Sequence, residues 1–299
     1  MTTVLAFVRL SRPIFLLGGF VLYGLGAAVS RFDGFTISLS VYLLGQIAIT
    51  SAQLMTHYFN EVYDFAADSN NLNRTFWSGG SGVLPSGQIS VQTAIAAAQA
   101  TLVVSVIAMI AAAIVMSNSA AILLHLVIIF GAWAYSTPPL RLLSTSWGGF
   151  SAALIVSGLT PAFAYTLQSG TLNVGLIWIF VPLIAIQFAM LVIFDIPDRE
   201  SDASADKRTV VVRLGVQRAG RIAIAAIIFA FGVLTTRVVF ADNPGIVALA
   251  ALPLAAYVIW RLYRTTMETQ KQYGSFTFAG VSLYTLTSFA MLVEYSTAI

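Results

Sequence analysis

The chain has 299 residues, of which 58% are hydrophobic and only 9% are charged, and its mean hydropathy is +0.87. Soluble domains carry about 25% charged residues, so this composition excludes an ordinary soluble protein. The net charge of +3 is spread along a hydrophobic chain, which indicates membrane topology rather than nucleic-acid binding, and the absence of cysteine excludes disulfides and thiolate metal sites.

Apolar runs separated by polar breaks predict an all-α polytopic membrane protein with about nine transmembrane helices. In chain order the predicted spans cover residues 13–30, 38–60, 92–116, 119–136, 149–167, 174–195, 219–240, 243–261 and 275–298. No linker or soluble segment interrupts them, so residues 1–299 are expected to form a single transmembrane domain.

Nine spans place the two termini on opposite sides of the membrane. If the N-terminus is cytoplasmic, thirteen of the fifteen Lys and Arg residues lie on that side, and only Arg31 and Arg237 lie on the other. Because basic residues concentrate on the cytoplasmic side, this orientation is favoured. It predicts a multi-pass cell-membrane protein whose N-terminus and two long polar loops, 61–91 and 196–218, are cytoplasmic.

The two polar loops follow the second and the sixth predicted spans, four helices apart. This placement predicts a duplicated four-helix arrangement plus one further helix. Transporters also arise by duplication, so the repeat alone does not identify a function.

Both loops and their adjoining helix ends are rich in carboxylates. Asn60, Asp64 and Asp68 are spaced by four residues, and Asp198 and Asp202 repeat that spacing. On a helix, side chains four residues apart share one face. A third acidic residue, Asp195, precedes Asp198 by slightly less than one turn.

Carboxylates placed four residues apart repel one another, and hydrocarbon screens that repulsion poorly. Two such clusters at equivalent places in a charge-poor chain favour a cation site, although a single cluster is equally typical of a solvated helix end. Oxygen ligands without cysteine indicate a hard metal, and Mg²⁺ suits bridging between carboxylates and phosphates.

These residues resemble the UbiA superfamily of intramembrane prenyltransferases. Its Asn-x-x-x-Asp-x-x-x-Asp signature is matched by residues 60–68, and its second Asp-x-x-x-Asp by residues 198–202. The Arg12-Pro13 pair and the segment 135–141 are similar to further family landmarks. The region 53–87 is most similar to members that prenylate a dihydroxynaphthoate in menaquinone biosynthesis. Many of those members have Asn at the position of Asp195, so the acceptor stays open.

The resemblance implies Mg²⁺-dependent transfer of an isoprenoid chain from a prenyl diphosphate to a small aromatic acceptor, through an allylic carbocation. The isoprenoid tail would lie in an apolar groove between helices that opens to membrane lipid. It implies catalytic roles for Asp64, Asp68, Asp198 and Asp202. Metal ligands would be those four with Asn60 and Asp195. The substrate-binding candidates are Arg12, Tyr63, Arg74, Tyr135, Arg141, Lys207 and Arg208, for each of which an anchoring role at the membrane interface is the alternative.

Two other functions are compatible with the same residues. A terpene cyclase on this scaffold would ionise the same diphosphate and fold the cation onto its own chain. A secondary transporter would use intramembrane carboxylates to bind coupling ions, although usually near the middle of the bilayer. The two histidines, His57 and His125, are far apart in sequence and are interpreted as structural.

Overall fold

The computed structural model describes residues 3–116, 118–240, 244–264 and 270–298. Within these ranges all regular structure is helical. Nine of the described segments are long and apolar enough to cross a membrane: Pro13–Phe32, Leu39–Tyr63, Val91–Val115, Ser119–Ser136, Gly148–Ser169, Val174–Ser204, Val210–Phe240, Val247–Arg264 and Lys271–Thr297. The predicted all-α polytopic architecture is thereby confirmed, while residue 243, the predicted start of the eighth span, lies outside the described ranges.

The helices are named in chain order. They are α1 (Thr3–Leu10), α2 (Pro13–Phe32), α3 (Leu39–Tyr63), α4 (Phe65–Ser69), α5 (Val91–Val115), α6 (Ser119–Ser136), α7 (Gly148–Ala153), α8 (Thr160–Ser169), α9 (Ile177–Ser204), α10 (Val210–Phe240), α11 (Leu252–Arg264) and α12 (Gln270–Thr297). A π-helical turn, Leu154–Leu159, joins α7 to α8 within one span, and short 3₁₀ turns lie at Leu142–Ser144, Val174–Leu176 and Val247–Ala251.

Local sequence explains several helix ends. Arg12 has a left-handed backbone conformation, and Pro13 at the first position of α2 prevents α1 from continuing. The side chain of Ser90 accepts a hydrogen bond from Thr93 N, and that of Asn118 accepts one from Ala121 N. These are N-terminal caps of the ordinary kind, which satisfy backbone donors that the first turn leaves unpaired.

The helices pack as a duplicated four-helix unit would. The second and third spans, α3 and α5, lie side by side, as do the sixth and seventh, α9 and α10. The first span α2 packs on α8, and α12 lies against both α2 and α9. The two helices that carry the acidic clusters, α3 and α9, are thereby held on either side of the molecule's interior.

The predicted boundaries near the second acidic cluster are wrong. The expected polar loop 196–218 is mostly helical, because α9 continues to Ser204 through Pro197, and α10 begins at Val210 and bends at Gly215. A pattern based on apolarity predicts a loop wherever the residues become polar. Here the polar end of α9 instead continues beyond the apolar span as an ordinary helix.

Candidate active site

A cavity of about 320 Å³ lies between the two acidic clusters and extends into the interior of the helical assembly. Its polar end is lined by nine of the residues predicted from the sequence, which lie on or next to five helices and on the turn after α9. They are Arg12, Asn60, Asp64, Asp68, Tyr135, Asp195, Asp198, Asp202 and Lys207. Residues that are up to 195 positions apart in the chain therefore meet at one site.

The first cluster keeps its helical spacing across a break. The helix α3 ends at Tyr63, and Asp64 has φ −98° and ψ 3°, which is not helical. Nevertheless Asp64 N donates to Asn60 O at 2.8 Å, and Asp68 N donates to Asp64 O at 3.0 Å. Because each bond joins residues four apart, the helical spacing persists across the break, and all three residues line the same cavity.

The second cluster lies on the last turns of α9 and is tied to the loop after α4. Asn71 Nδ2 donates to Asp198 Oδ1 at 2.7 Å. Asp202 is buried, with 3% of its surface exposed. The short helix α4, which carries Asp68, also packs directly on α9. This contact fixes the position of the first cluster relative to the second.

Lys207 joins the two clusters electrostatically. Its Nζ lies 2.8 Å from Asp64 Oδ1 and 2.7 Å from Asp202 Oδ1. The turn that directs it inward has positive φ at Asp206 and a hydrogen bond from Lys207 N to Asp202 O at 2.9 Å. Burial alone would lower the pKa of this ammonium, but the two carboxylates outweigh it, so the pKa is raised above that of an ordinary lysine.

The glycine-rich loop 78–82 closes over the first cluster. Glu61, which is almost fully buried, accepts hydrogen bonds from Ser81 N at 2.7 Å and from Ser81 Oγ at 2.6 Å. Gly80 has φ +71°, and a Cβ built there would come within 2.0 Å of Asp68 Oδ2. Only glycine therefore allows the loop backbone to approach the Asp68 carboxylate so closely.

Replacing Gly80 with Ala is expected to lower catalytic turnover by about 10²-fold, because the added methyl must displace the Asp68 carboxylate. The matched control is Gly87→Ala, where φ is +68° and nothing lies within 4 Å of the new Cβ. Both variants carry the same backbone strain of about 1–2 kcal/mol, so only Gly80→Ala should lose turnover beyond its loss of thermal stability. Equal turnover in the two variants, measured in detergent, would contradict this role of Gly80.

The acidic side chains suit a hard divalent cation whose coordination shell is completed by a bound ligand. Burial, followed by the negative charges of Asp64 and Glu61, raises the pKa of Asp68 to about 8, although Arg12 and Lys207 oppose the shift. A cation would relieve this crowding. No three Asp, Glu or His side chains in the described ranges already converge on one point. Mg²⁺ typically takes one or two carboxylates and completes its shell with phosphate and water, which fits clusters on opposite walls.

Four of the predicted substrate-binding residues do not line the cavity: Tyr63, Arg74, Arg141 and Arg208. Arg141 Nη2 donates to the carbonyl of Tyr63 at 3.0 Å, at the C-terminal end of α3, where a basic group is favourable. Arg74 Nη2 donates to Asp68 O at 3.1 Å. The side chain of Arg208 is 70% exposed. Arg141 and Arg74 therefore bind backbone carbonyls, and Arg208 lies at the surface. The predicted contact of these arginines with a diphosphate stays a prediction.

Below the carboxylates the cavity becomes aromatic and apolar. Phe15 packs edge to face against His57 at 6.4 Å and against Trp77 at 5.8 Å between ring centroids. At another part of the lining, Gln187 accepts hydrogen bonds from Ser157 Oγ at 2.5 Å and from Tyr284 OH at 3.3 Å. The cavity thus combines a charged mouth, a cluster of flat rings and a largely apolar interior.

Sequence patterns did not identify three residues that shape the site. In the sequence, Glu61 is one of twelve acidic residues, Asn71 is a polar loop residue without a distinguishing pattern, and Ser81 lies in the glycine-rich run 78–82. Their partners are Ser81 for Glu61 and Asp198 for Asn71, and the second pair is 127 positions apart. The available signals were that Glu61 lies within the first acidic cluster and that Ser81 lies within the glycine-rich run.

The family profile described as the UbiA prenyltransferase family matches residues 13–283. No curated protein is similar enough in sequence to count as a relative. Among solved structures, a UbiA homologue from Aeropyrum pernix K1 is 16% identical with a TM-score of 0.72, over 93% of this chain and 97% of that one. A UbiA homologue from Archaeoglobus fulgidus bound to GPP and Mg²⁺ is 17% identical with a TM-score of 0.66, over 96% and 99%.

A digeranylgeranylglyceryl phosphate synthase is 14% identical with a TM-score of 0.66, over 99% of both chains. At these identities the structural matches show a shared fold.

Proposed function

The chain belongs to the UbiA prenyltransferase family, and from this premise we propose that it transfers an isoprenoid chain from a prenyl diphosphate to a small aromatic acceptor, a quinone precursor such as a dihydroxynaphthoate. The observation that carries the proposal is the single cavity that joins both acidic clusters to a chamber of aromatic and apolar side chains. A prenyl diphosphate carries its charge at one end and its hydrocarbon chain at the other, which matches a cavity with an acidic mouth and an apolar interior.

Each group at the mouth has a role in this proposal. Asn60, Asp64 and Asp68 on one wall, and Asp195, Asp198 and Asp202 on the other, would hold Mg²⁺. When bound, Mg²⁺ neutralises charge that develops on the leaving diphosphate. Lys207 and Arg12 contribute fixed positive charge at the same place, and the buried walls exclude water that would otherwise capture the allylic cation.

The aromatic acceptor is supported by the side chains below the mouth. Phe15, His57 and Trp77 line the cavity, and the ring of Phe15 packs edge to face against each of the other two. Tyr135 lines the polar end of the cavity, where its ring would stabilise the allylic cation. Aromatic rings favour stacked or edge-to-face contacts with another aromatic ring, which suits a flat acceptor.

Orientation in the membrane follows from the same proposal. The cytosol supplies water-soluble diphosphate headgroups, and the basic residues concentrate on the side of the clusters. We therefore place the N-terminus and both acidic clusters at the cytoplasmic face of the cell membrane. Residues 1–299 would act as one prenyltransferase domain, since α12 completes the cavity with Val281, Tyr284 and Thr285.

The test is a product assay. Purified protein is incubated with Mg²⁺ and either GPP or geranylgeranyl diphosphate, with and without 1,4-dihydroxy-2-naphthoate, and the lipid products are identified by mass spectrometry. A prenylated naphthol that forms only with acceptor and Mg²⁺ is the expected result. A cyclic hydrocarbon or alcohol formed without acceptor would replace the proposal by a terpene cyclase. Neither product, together with ion-coupled solute uptake by proteoliposomes, would indicate a transporter.

A further inference from the structure

The cavity wall on α3 carries one titratable side chain, His57, whose ring nitrogens have no part in the proposed reaction as described above. His57 precedes Asp64 by seven residues, which is close to two helical turns, so both side chains point to the same side of α3. The rise of an α-helix places His57 about 10 Å deeper than Asp64. It lines the cavity beside the aromatic ring of Phe15.

The backbone break before α2 fixes the orientation of the His57 ring. Phe15 N donates to Arg12 O at 3.0 Å, so the Ser11 carbonyl is not used by the next helical turn. His57 Nδ1 lies 3.0 Å from that carbonyl. A carbonyl oxygen can only accept a hydrogen bond, so Nδ1 carries the proton and Nε2 of the neutral ring keeps its lone pair.

The Nε2 atom is available to a ligand. It has no hydrogen-bond partner among the described residues, whereas Nε2 of the other histidine, His125, lies 3.1 Å from Ser105 Oγ outside the cavity. A polar atom at a cavity wall without a protein partner is most simply satisfied by a polar group of whatever fills the cavity. The ring therefore presents a hydrogen-bond acceptor, and a base, below the acidic mouth.

We propose that His57 Nε2 is the base that takes the hydroxyl proton of the aromatic acceptor. The inference rests on the proposed transfer to an aromatic acceptor and narrows that acceptor to a hydroxylated ring. The allylic C–O bond breaks first, and its electron pair leaves with the diphosphate, before the ring carbon attacks the resulting allylic cation. A ring π pair forms the new C–C bond, the O–H pair becomes a carbonyl π bond, and the proton goes to Nε2.

His57 suits this task better than the nearby carboxylates. In the proposed reaction the carboxylates are occupied by cations, which lowers their basicity, while a neutral imidazole stays free to accept a proton. The edge-to-face packing of Phe15 and the hydrogen bond to Ser11 hold the ring in place, as a general base requires.

The test resembles a double-mutant cycle, in which one substitution in the protein is combined with one chemical change in the acceptor. His57→Asn retains a donor for the Ser11 carbonyl but removes the base. It is assayed with 1,4-dihydroxy-2-naphthoate and with each of its two mono-O-methyl ethers. We expect His57→Asn to lower kcat for the dihydroxy acceptor by about 10²-fold. One of the two ethers should lower the wild-type kcat by a similar factor. The same ether should lower the kcat of His57→Asn by less than about threefold, because the substitution and the methylation remove the same contact between Nε2 and the acceptor hydroxyl.

Two further measurements separate this role from a structural one. Exchange of ¹⁸O between the bridging and non-bridging positions of the prenyl diphosphate reports ionisation alone, and it should be unchanged in His57→Asn. The matched control is His125→Asn, which should respond to methylation of the acceptor as the wild type does.

Additive losses from substitution and methylation would overturn the proposal, as would a parallel fall in ¹⁸O exchange. If the wild-type protein prenylates no aromatic acceptor, the proposed function fails and this inference fails with it. If the wild type prenylates the acceptor and His57→Asn does so at the same rate, only this inference fails.

Discussion

Asp198→Asn is expected to reduce kcat for prenyl transfer by about 10³-fold, which corresponds to about 4 kcal/mol of transition-state stabilisation. The substitution replaces one anionic oxygen by a neutral amide and hardly changes the shape of the side chain. The amide oxygen of the substituted side chain can still accept the hydrogen bond that Asn71 Nδ2 gives to Asp198 Oδ1 at 2.7 Å. The loss should therefore come from charge, because the site stabilises the departing diphosphate less well in the transition state, and not from misfolding.

The stability of Asp198→Asn should be unchanged or higher, although its turnover falls. Asp195, Asp198 and Asp202 are crowded on the last turns of α9, and removing one of these negative charges relieves repulsion. We expect a thermal midpoint in detergent that equals or exceeds that of the wild type, as is common where a site has accumulated charge for function.

A matched control for this variant is Asp206→Asn. Asp206 lies four residues beyond Asp202, but its side chain is 98% exposed and does not line the cavity. Its φ of 58° is one that Asn tolerates well. Wild-type turnover is expected in this variant. Turnover within about tenfold of wild type in Asp198→Asn, at saturating Mg²⁺ and diphosphate, would contradict a direct role for Asp198.

Lys207→Met is expected to lower the free energy of unfolding by about 3–5 kcal/mol. The substitution keeps an unbranched apolar chain of similar length but removes the ammonium between Asp64 and Asp202. The buried carboxylate of Asp202 and the partly buried carboxylate of Asp64 then lie close together without a counter-ion. The measurement is thermal or denaturant unfolding of the purified protein in detergent.

The pH dependence of the Lys207 contribution has a definite sign. Because the folded-state pKa of Lys207 is raised, its stabilising effect is fully present below the ordinary lysine pKa of about 10.4 and is lost only as pH rises beyond that value. The Lys207 ammonium is thus charged at neutral pH. Added Mg²⁺ should raise the unfolding midpoint of Lys207→Met more than that of the wild type, since a cation can replace the lost ammonium.

Arg208→Met is the control for stability. The Arg208 side chain is 70% exposed, and the contact that anchors this residue, Arg208 N to Ser144 O at 2.7 Å, uses the backbone. A change within about 0.5 kcal/mol is expected. If both variants lost stability equally, the Lys207 bridge would have no special importance for the fold.

The sequence alone determined the membrane class, the number of spans and the acidic clusters. A helix must place about 20 apolar residues in the bilayer core, so every span leaves a local signal that hydropathy detects. The spacing of Asn60, Asp64 and Asp68 is also local, and it persisted because hydrogen bonds between residues four apart bridge the break after Tyr63. The end of α9 was misplaced because polarity does not report whether a helix continues beyond the membrane.

The tertiary structure decided which residues act together. Lys207 and Arg141 are both basic residues near a helix end, yet Lys207 bridges Asp64 and Asp202 while Arg141 binds the carbonyl of Tyr63. Asn71 reaches Asp198 across 127 positions, and the Ser11 carbonyl selects the tautomer of His57 across 46. Local patterns cannot report such partners, because electrostatic and hydrogen-bond energies depend on distances in space that only the packing of the helices establishes.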